Sequence, residues 1–184
     1  RHVGGDGRLK TLSFVVTDEM ELDRVLSEGE RVDGSSLLPF VDTSSSDLYV
    51  VPRYKTAFRN PFTQYPTLDI LCTYYTSTGE RLAAAPETVL HSAHAVLKRE
   101  TGLTLDALGE LEYYVIFDDS HHFPVKPQRG YHESSPFCRG DVLRTDAMRA
   151  LARAGVRIKY SHSEVGNICT DDREMEQHEI ELAL

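Results

Sequence analysis

Apolar and polar positions alternate over short stretches in the first third of the chain, with Gly and Pro breaking the pattern often. Residues 11–16 set Leu12, Phe14 and Val16 on one side of a predicted strand. Residues 18–26 are short and acidic and read as a helix. Gly29 and Gly34 bracket a loop and a short strand that ends in Asp33-Gly34-Ser35-Ser36. Residues 47–51 predict another strand, stopped by Pro52. Asn60-Pro61 marks a turn, and the apolar, aromatic run 68–75 predicts a buried strand. The period then changes. Pro86 suits a helix N-terminus with Glu87 in its first turn, and Val89, Ala93, Val96 and Leu97 recur at helical spacing to about Arg99. Gly102 fits the C-terminal cap.

In the second half, residues 109–117 alternate strictly. Leu111, Tyr113, Val115 and Phe117 share one face, and Glu110 and Glu112 share the other. Residues 118–140 form a long polar loop bearing His and Pro, a length associated with function or mobility. A helix over 141–154 closes at Gly155, and 156–160 predict a strand. After the polar stretch 169–176 comes a last strand, 177–184. A change in character near 80–86 separates a strand-rich N-terminal part from a mixed part. The chain begins at Arg1 and not Met, and it stops inside an apolar strand that leaves Leu182 and Leu184 on an unpartnered edge. An incomplete portion of a longer protein is the expectation.

At 184 residues, a substantial core is available to one large domain or two small ones. Hydrophobic residues make up 40% and charged residues 27%, so neither a disordered nor a fibrous class is expected. Mean hydropathy is −0.36 and no apolar run reaches membrane-spanning length, so no membrane association is expected. The net charge of −9 repels phosphate backbones and argues against nucleic acid as a partner. It leaves room for anionic ligands brought in by metals. Cys72, Cys138 and Cys169 are odd in number and widely spaced, which predicts no disulfide framework and suits a reducing cytoplasm.

The acidic residues carry the chemistry. Glu110 and Glu112 project from the head of one strand with Cα atoms roughly 6.5–7 Å apart. Spacing alone reads first as a solvated strand face. A hard divalent cation, Mg²⁺ or Mn²⁺, is the alternative use of such a pair. Glu164, after Tyr160-Ser161-His162-Ser163, and Glu179, in Gln177-His178-Glu179-Ile180-Glu181, also stand near strand ends.

These strings resemble the glutamine synthetase family. Asp33-Gly34-Ser35-Ser36, Ser46-Asp47-Leu48 with Pro52, and Asn60-Pro61-Phe62 are similar to its N-terminal half. Gly109-Glu110-Leu111-Glu112-Tyr113-Tyr114 resembles its Gly-x-Glu-x-Glu-Phe-Phe strand, and Gly130-Tyr131 its Gly-Gly-Tyr segment. His162-Ser163-Glu164-Val165 resembles His-His-Glu-Val, and Gln177-His178-Glu179-Ile180 resembles Gly-Gln-x-Glu-Ile/Val. The order and approximate spacing agree over nearly the whole chain.

The resemblance implies an α+β chain: a small β-grasp-like N-terminal domain over 1–83, then over 84–184 the first part of an α/β catalytic domain with a curved antiparallel sheet. It implies an ATP-dependent ligase that makes glutamine from glutamate and ammonia through γ-glutamyl phosphate, in the cytoplasm, as a homo-oligomer with sites between subunits. By match, Glu112, Glu164 and Glu179 would hold one divalent cation, and Glu110 would help hold a second, nearer the ATP phosphates. Asp33, on a loop with Ser36, would deprotonate ammonium at a neighbouring subunit's site. Tyr131 would line the substrate entrance, and His162 would lie close to nucleotide and metals.

Several positions depart from the pattern. Lys159 stands where the family usually has an acid, and Ser163 replaces the second His. Asp171-Asp172-Arg173-Glu174 looks like a small insertion between Glu164 and Glu179. The later family segments, which supply further metal and phosphate ligands, are not matched, so this stretch alone is expected to be inactive. Two rivals follow: a ligase that γ-glutamylates another amine, and a non-catalytic relative used for assembly or regulation. Among other residues, His91 and His94, three apart on a helix, read as a solvated face. His121-His122 reads as exposed loop, and Lys98-Arg99 as a pair favoured by the helix dipole. Cys138 has no nucleophile signature around it. Asp33-Gly34, taken alone, is a common turn.

Overall fold

The computed structural model describes residues 1–118 and 123–183. The His121-His122 pair and Leu184 lie outside the described residues. The chain divides into two compact units, 1–59 with 66–105, and 60–65 with 106–184.

In chain order, the first unit holds β1 (His2–Val3), β2 (Leu9–Lys10), α1 (Glu19–Glu28), β3 (Glu30–Asp33), α2 (Gly34–Leu37), β4 (Asp47–Pro52), β5 (Phe58–Arg59), β6 (Leu68–Asp69), β7 (Cys72–Thr76) and α3 (Pro86–Thr101). Strands β3, β4 and β7 form an antiparallel sheet in that order. Its inner positions follow the two-residue period: Leu48 and Val50 of β4 and Tyr74 of β7 pack with Leu38 and Ala85 as the core. Asp18 caps α1 by accepting from Glu21 N at 2.8 Å, as the acidic helix start predicts. Pro86 opens α3, and Gly102, at φ 75°, closes it by donating to Lys98 O. The first turn of α3 is anchored through Glu87, which accepts from Tyr74 N at 2.8 Å. Beyond that turn, Val89 and Val96 are exposed.

Two expectations for this unit fail. Residues 11–16 form no strand, and Leu12, Phe14, Val15 and Val16 are exposed, because no neighbouring strand offers a ladder to pair with. The run 68–75 is two strands, with β6 and β7 in different sheets. The chain breaks the ladder at Ile70 and Leu71, whose carbonyls accept from the N-terminal ammonium of Arg1 and from Arg53 N.

The second unit holds β8 (Glu110–Asp118), α4 (Asp141–Arg153), β9 (Ile158–Ser163), β10 (Ile168–Cys169) and β11 (Arg173–Leu182). β11 lies at the centre of an all-antiparallel sheet, with β8 on one edge and β9 and β10 on the other. The predicted insertion is the turn of the β10–β11 hairpin and the start of β11. That strand begins at Arg173, four residues before the predicted 177. Glu174 and Glu176 gave this stretch a loop-like polarity, yet both are buried. Glu174 accepts from Val125 N and the Arg139 guanidinium, and Glu176 from the N–H groups of Arg139 and Gly140. β9 starts at Ile158 and extends to Ser163, past the predicted 160. No helix among the described residues is long and apolar enough to cross a membrane.

Candidate metal centre

The register of the second unit's sheet decides which carboxylates meet. Glu112 of β8 lies opposite Glu179 of β11, which lies opposite His162 of β9. Two pairs further along, on the same face, Glu110 lies opposite Glu181, and Glu181 opposite Tyr160. Directly opposed residues of antiparallel strands share a face, so a band of acid and imidazole groups crosses three strands. Glu164 joins from just past β9, where its N–H donates to Gln177 O at 2.8 Å.

Two trios of ligand atoms lie within 4.8 Å of one another: His162, Glu164 and Glu179, and Glu110, Glu179 and Glu181. Glu179 belongs to both. His162 Nδ1 is 3.4 Å from Glu164 Oε1, and its Nε2 is 3.9 Å from Glu179 Oε2. Burial raises the Glu179 carboxyl above its ordinary pKa, with the charges of Glu110 and Glu164 adding to the effect and His162 opposing it. A hard divalent cation fits this donor set, because it supplies the counter-charge that a buried carboxylate with a raised pKa lacks. Glu112 stands beside the trios and not inside one. Its Oε2 accepts from Gln177 Nε2 at 2.6 Å, and Gln177 Oε1 accepts from Gly166 N at 2.9 Å. Glu179 is thus brought to Glu164 in one trio and to Glu110 in the other, and Glu112 is held by Gln177 outside both.

Tyr131 stacks on His132 at 4.1 Å between ring centroids and meets His162 edge-on at 5.3 Å. Together with Tyr160, Glu133 and Arg144 these rings line a cavity of about 580 Å³. Ser163 explains itself here. Its buried hydroxyl donates to Gly130 O at 2.7 Å and lies 2.9 Å from Glu133 O, stapling the Tyr131 loop to β9. A Cβ at Gly130 would approach Glu164 O to 2.5 Å, so that turn is tied to the ligand loop as well.

In the first unit, Asp33 ends β3 and caps α2. The hydroxyls of Ser36 and Ser35, each at 2.7 Å, and the Ser35 N–H pull its pKa down to about 2. Gly34 suits the turn because a Cβ there would meet Leu48 Cδ1 at 2.5 Å. Ser36→Ala is expected to raise the Asp33 pKa toward the ordinary 3.8, read by NMR titration. A folded value below the unfolded one stabilises the fold above pH ~4 and loses that contribution as pH falls toward about 2. An unchanged pKa in this variant would show that the Ser36 hydroxyl is not what holds it down.

A third cluster lies on the opposite face of the same sheet. Cys138, Glu176 and His178 are all buried and within reach of one another. Their chemistry does not suit a metal. Arg144 Nη1 is 2.8 Å from His178 Nδ1, and a guanidinium can only donate. The imidazole proton therefore sits on Nε2, 3.3 Å from Glu176 Oε2. Burial pushes the Cys138 thiol up to about 11, with Glu176 adding to the effect, so it is a packed thiol and no nucleophile. His91 and His94 belong to no metal-ligand group among the described residues. Glu181 and Gln177 were not singled out from the sequence. The signal for Glu181 was its two-residue spacing from Glu179.

Residues 1–77 match the family described as "Glutamine synthetase, beta-Grasp domain". The chain is 28% identical over 166 residues to the glutamine synthetase of Methanococcus maripaludis, covering 86% of this chain and 37% of that protein. It is 30% identical over 165 residues to that of Staphylococcus aureus, covering 85% and 36%. A cryo-EM structure of Plasmodium falciparum glutamine synthetase shares the fold, with a TM-score of 0.68 at 22% identity over 88% of this chain and 36% of that one. The chain spans little more than a third of the length of these relatives. The expected α+β class, with its β-grasp N-terminal region and antiparallel sheets, is borne out.

Proposed function

We propose that this chain, which belongs to the glutamine synthetase family, is part of an ATP-dependent ligase that joins ammonia to glutamate through γ-glutamyl phosphate. The observation that carries the reading is the convergence of Glu110, Glu164, Glu179 and His162 on one sheet face, with Glu112 alongside. In this reading residues 1–83 are the β-grasp-like domain and 84–184 the first part of the catalytic domain. The enzyme works in the cytoplasm as a homo-oligomer with sites between subunits.

Glutamate's γ-carboxylate and ATP's γ-phosphate are both anions, and their approach is opposed until the charge is neutralised. Glu164 and Glu179, with Glu112 adjoining, would hold one Mg²⁺ or Mn²⁺, and Glu110 would help hold a second. Bound there, the cations supply charge neutralisation and alignment. His162, seated between Glu164 and Glu179, stands ready to meet phosphate oxygens, and Tyr131 lines the entrance. Asp33 is anionic at neutral pH and attracts ammonium. The hydroxyls that hold its pKa at about 2 make it a poor proton acceptor, so proton transfer requires them to swing away.

The test is ADP release by the full-length protein with glutamate and ammonia, run beside glutamate with organic amines. Ammonia-dependent turnover that falls at least tenfold in Asp33→Ala supports the reading. Turnover only with an amine moves the protein to the γ-glutamyl-amine class, and none with either leaves an assembly or regulatory role. Glu112→Ala is expected to weaken Mn²⁺ binding, by less than the changes within the trios. Unchanged affinity would remove Glu112 from the ligand set.

A further inference from the structure

We propose that Lys159 is a tethered counter-cation of the Glu110–Glu179–Glu181 trio, so that its ammonium takes the charge role a second divalent ion would have there. The inference rests on the metal-binding reading of the His162, Glu164 and Glu179 trio, and it replaces that reading at one point: the second ion assigned to Glu110 gives way to the Lys159 ammonium.

Strict alternation along β9 would send Lys159 to the face opposite Tyr160 and His162. The ladder shows why it does not. Tyr160 pairs with Glu181 and Ile158 with Leu182, so two steps on β9 match one on β11, and Lys159 is the extra residue of a bulge. A bulge re-aims the side chain it carries. Lys159 is turned onto the acidic face, where its Nζ lies 2.6 Å from Glu181 Oε2 and 4.6 Å from the centroid of the Tyr160 ring. The Tyr160 hydroxyl donates to the other oxygen, Oε1. Both Glu181 oxygens are thereby occupied, whereas Glu179 has no fixed cation among the described residues besides the titratable His162. The two trios are therefore unequal. The one with His162 and Glu164 is open to an ion, and the one with Glu181 already contains a positive charge. An added divalent ion there would face the ammonium across a few ångströms of partly desolvated space and would have to displace it from Glu181.

The experiment counts Mn²⁺ bound per chain by the full-length protein, from the EPR signal of free Mn²⁺, in wild type, Lys159→Gln, Lys159→Arg and the Lys159→Gln/Glu181→Gln pair. Wild type is expected to bind one equivalent tightly. Lys159→Gln is expected to gain a second, or to tighten a weak second one roughly tenfold. Lys159→Arg, which keeps the charge, should show no gain, and removing Glu181 should abolish it. Two tight equivalents in wild type, unchanged in Lys159→Gln, would overturn the inference while leaving the metal reading intact. No Mn²⁺ bound by either protein would overturn both. Binding only in Lys159→Gln would support the inference and restrict the metal reading to the variant.

Discussion

Glu179→Gln is expected to abolish tight Mn²⁺ binding by the full-length protein, weakening it roughly 100-fold or more. Outer-shell partners of metal ligands typically account for about 10–100-fold, and Glu179 is the one carboxylate common to both trios. The same change should leave the fold intact or firmer. Burial raises the Glu179 pKa, and Glu110 and Glu164 add to it. A carboxylate whose folded pKa lies above its unfolded one costs stability once pH exceeds the unfolded value, and that cost grows until pH has passed the folded value. Replacing it by the neutral isostere removes the cost. The signature is therefore a split: binding lost, stability held or gained. Isothermal titration with Mn²⁺ and a denaturation curve read the two sides. If stability and affinity fell together, Glu179 would be acting as a structural residue and the ligand assignment would fail.

Tyr74→Ala is expected to destabilise the first unit by about 3–5 kcal/mol, the range for emptying a large aromatic from a packed core. Tyr74 is fully buried among Leu38, Leu48, Val50 and Ala85, and its hydroxyl lies 2.5 Å from His2 Nδ1. Burial and the nearby Glu87 charge push that hydroxyl up to about 12, so the phenol stays protonated at any working pH. Tyr74→Phe keeps the ring and loses only the hydrogen bond, at a cost of about 1 kcal/mol. Hydrogen exchange of the β4 and β7 amides separates the two. The Ala variant should lose more than about a hundredfold of protection and the Phe variant less than about tenfold. Equal losses would mean that the hydrogen bond to His2, and not the packing of the ring, holds this core together.

Local periodicity made much of both units readable in advance. α1, α3, α4 and β8 follow from Asp18, Pro86 with Gly102, Gly155 and the Glu-apolar alternation, each an interaction among near neighbours in the chain. Residues 11–16 and 68–75 misled because an apolar alternating run states only that a strand is affordable. A ladder needs a partner, and none pairs with the first run, while two different sheets divide the second. β11 misled in the other direction. Glu174 and Glu176 look like loop residues until Arg139 and the N–H groups at the start of α4 neutralise and bond them.

The amino-acid order by itself determined which acids were in play and which of them share a face, because the two-residue period of a strand is a local property. It singled out Glu110, Glu112, Glu164 and Glu179, and only the resemblance to the family marked Lys159 as a departure. Which acids stand within reach of one ion was decided only by the register of β8, β11 and β9, which sets Glu179 between Glu112 and His162 and draws Glu181 to Glu110. The face that Lys159 takes was decided only by one unmatched residue in that register. Register is a sum of long-range pairings along whole strands, and a single bulge reverses where a side chain points, so no local reading of the chain contains it.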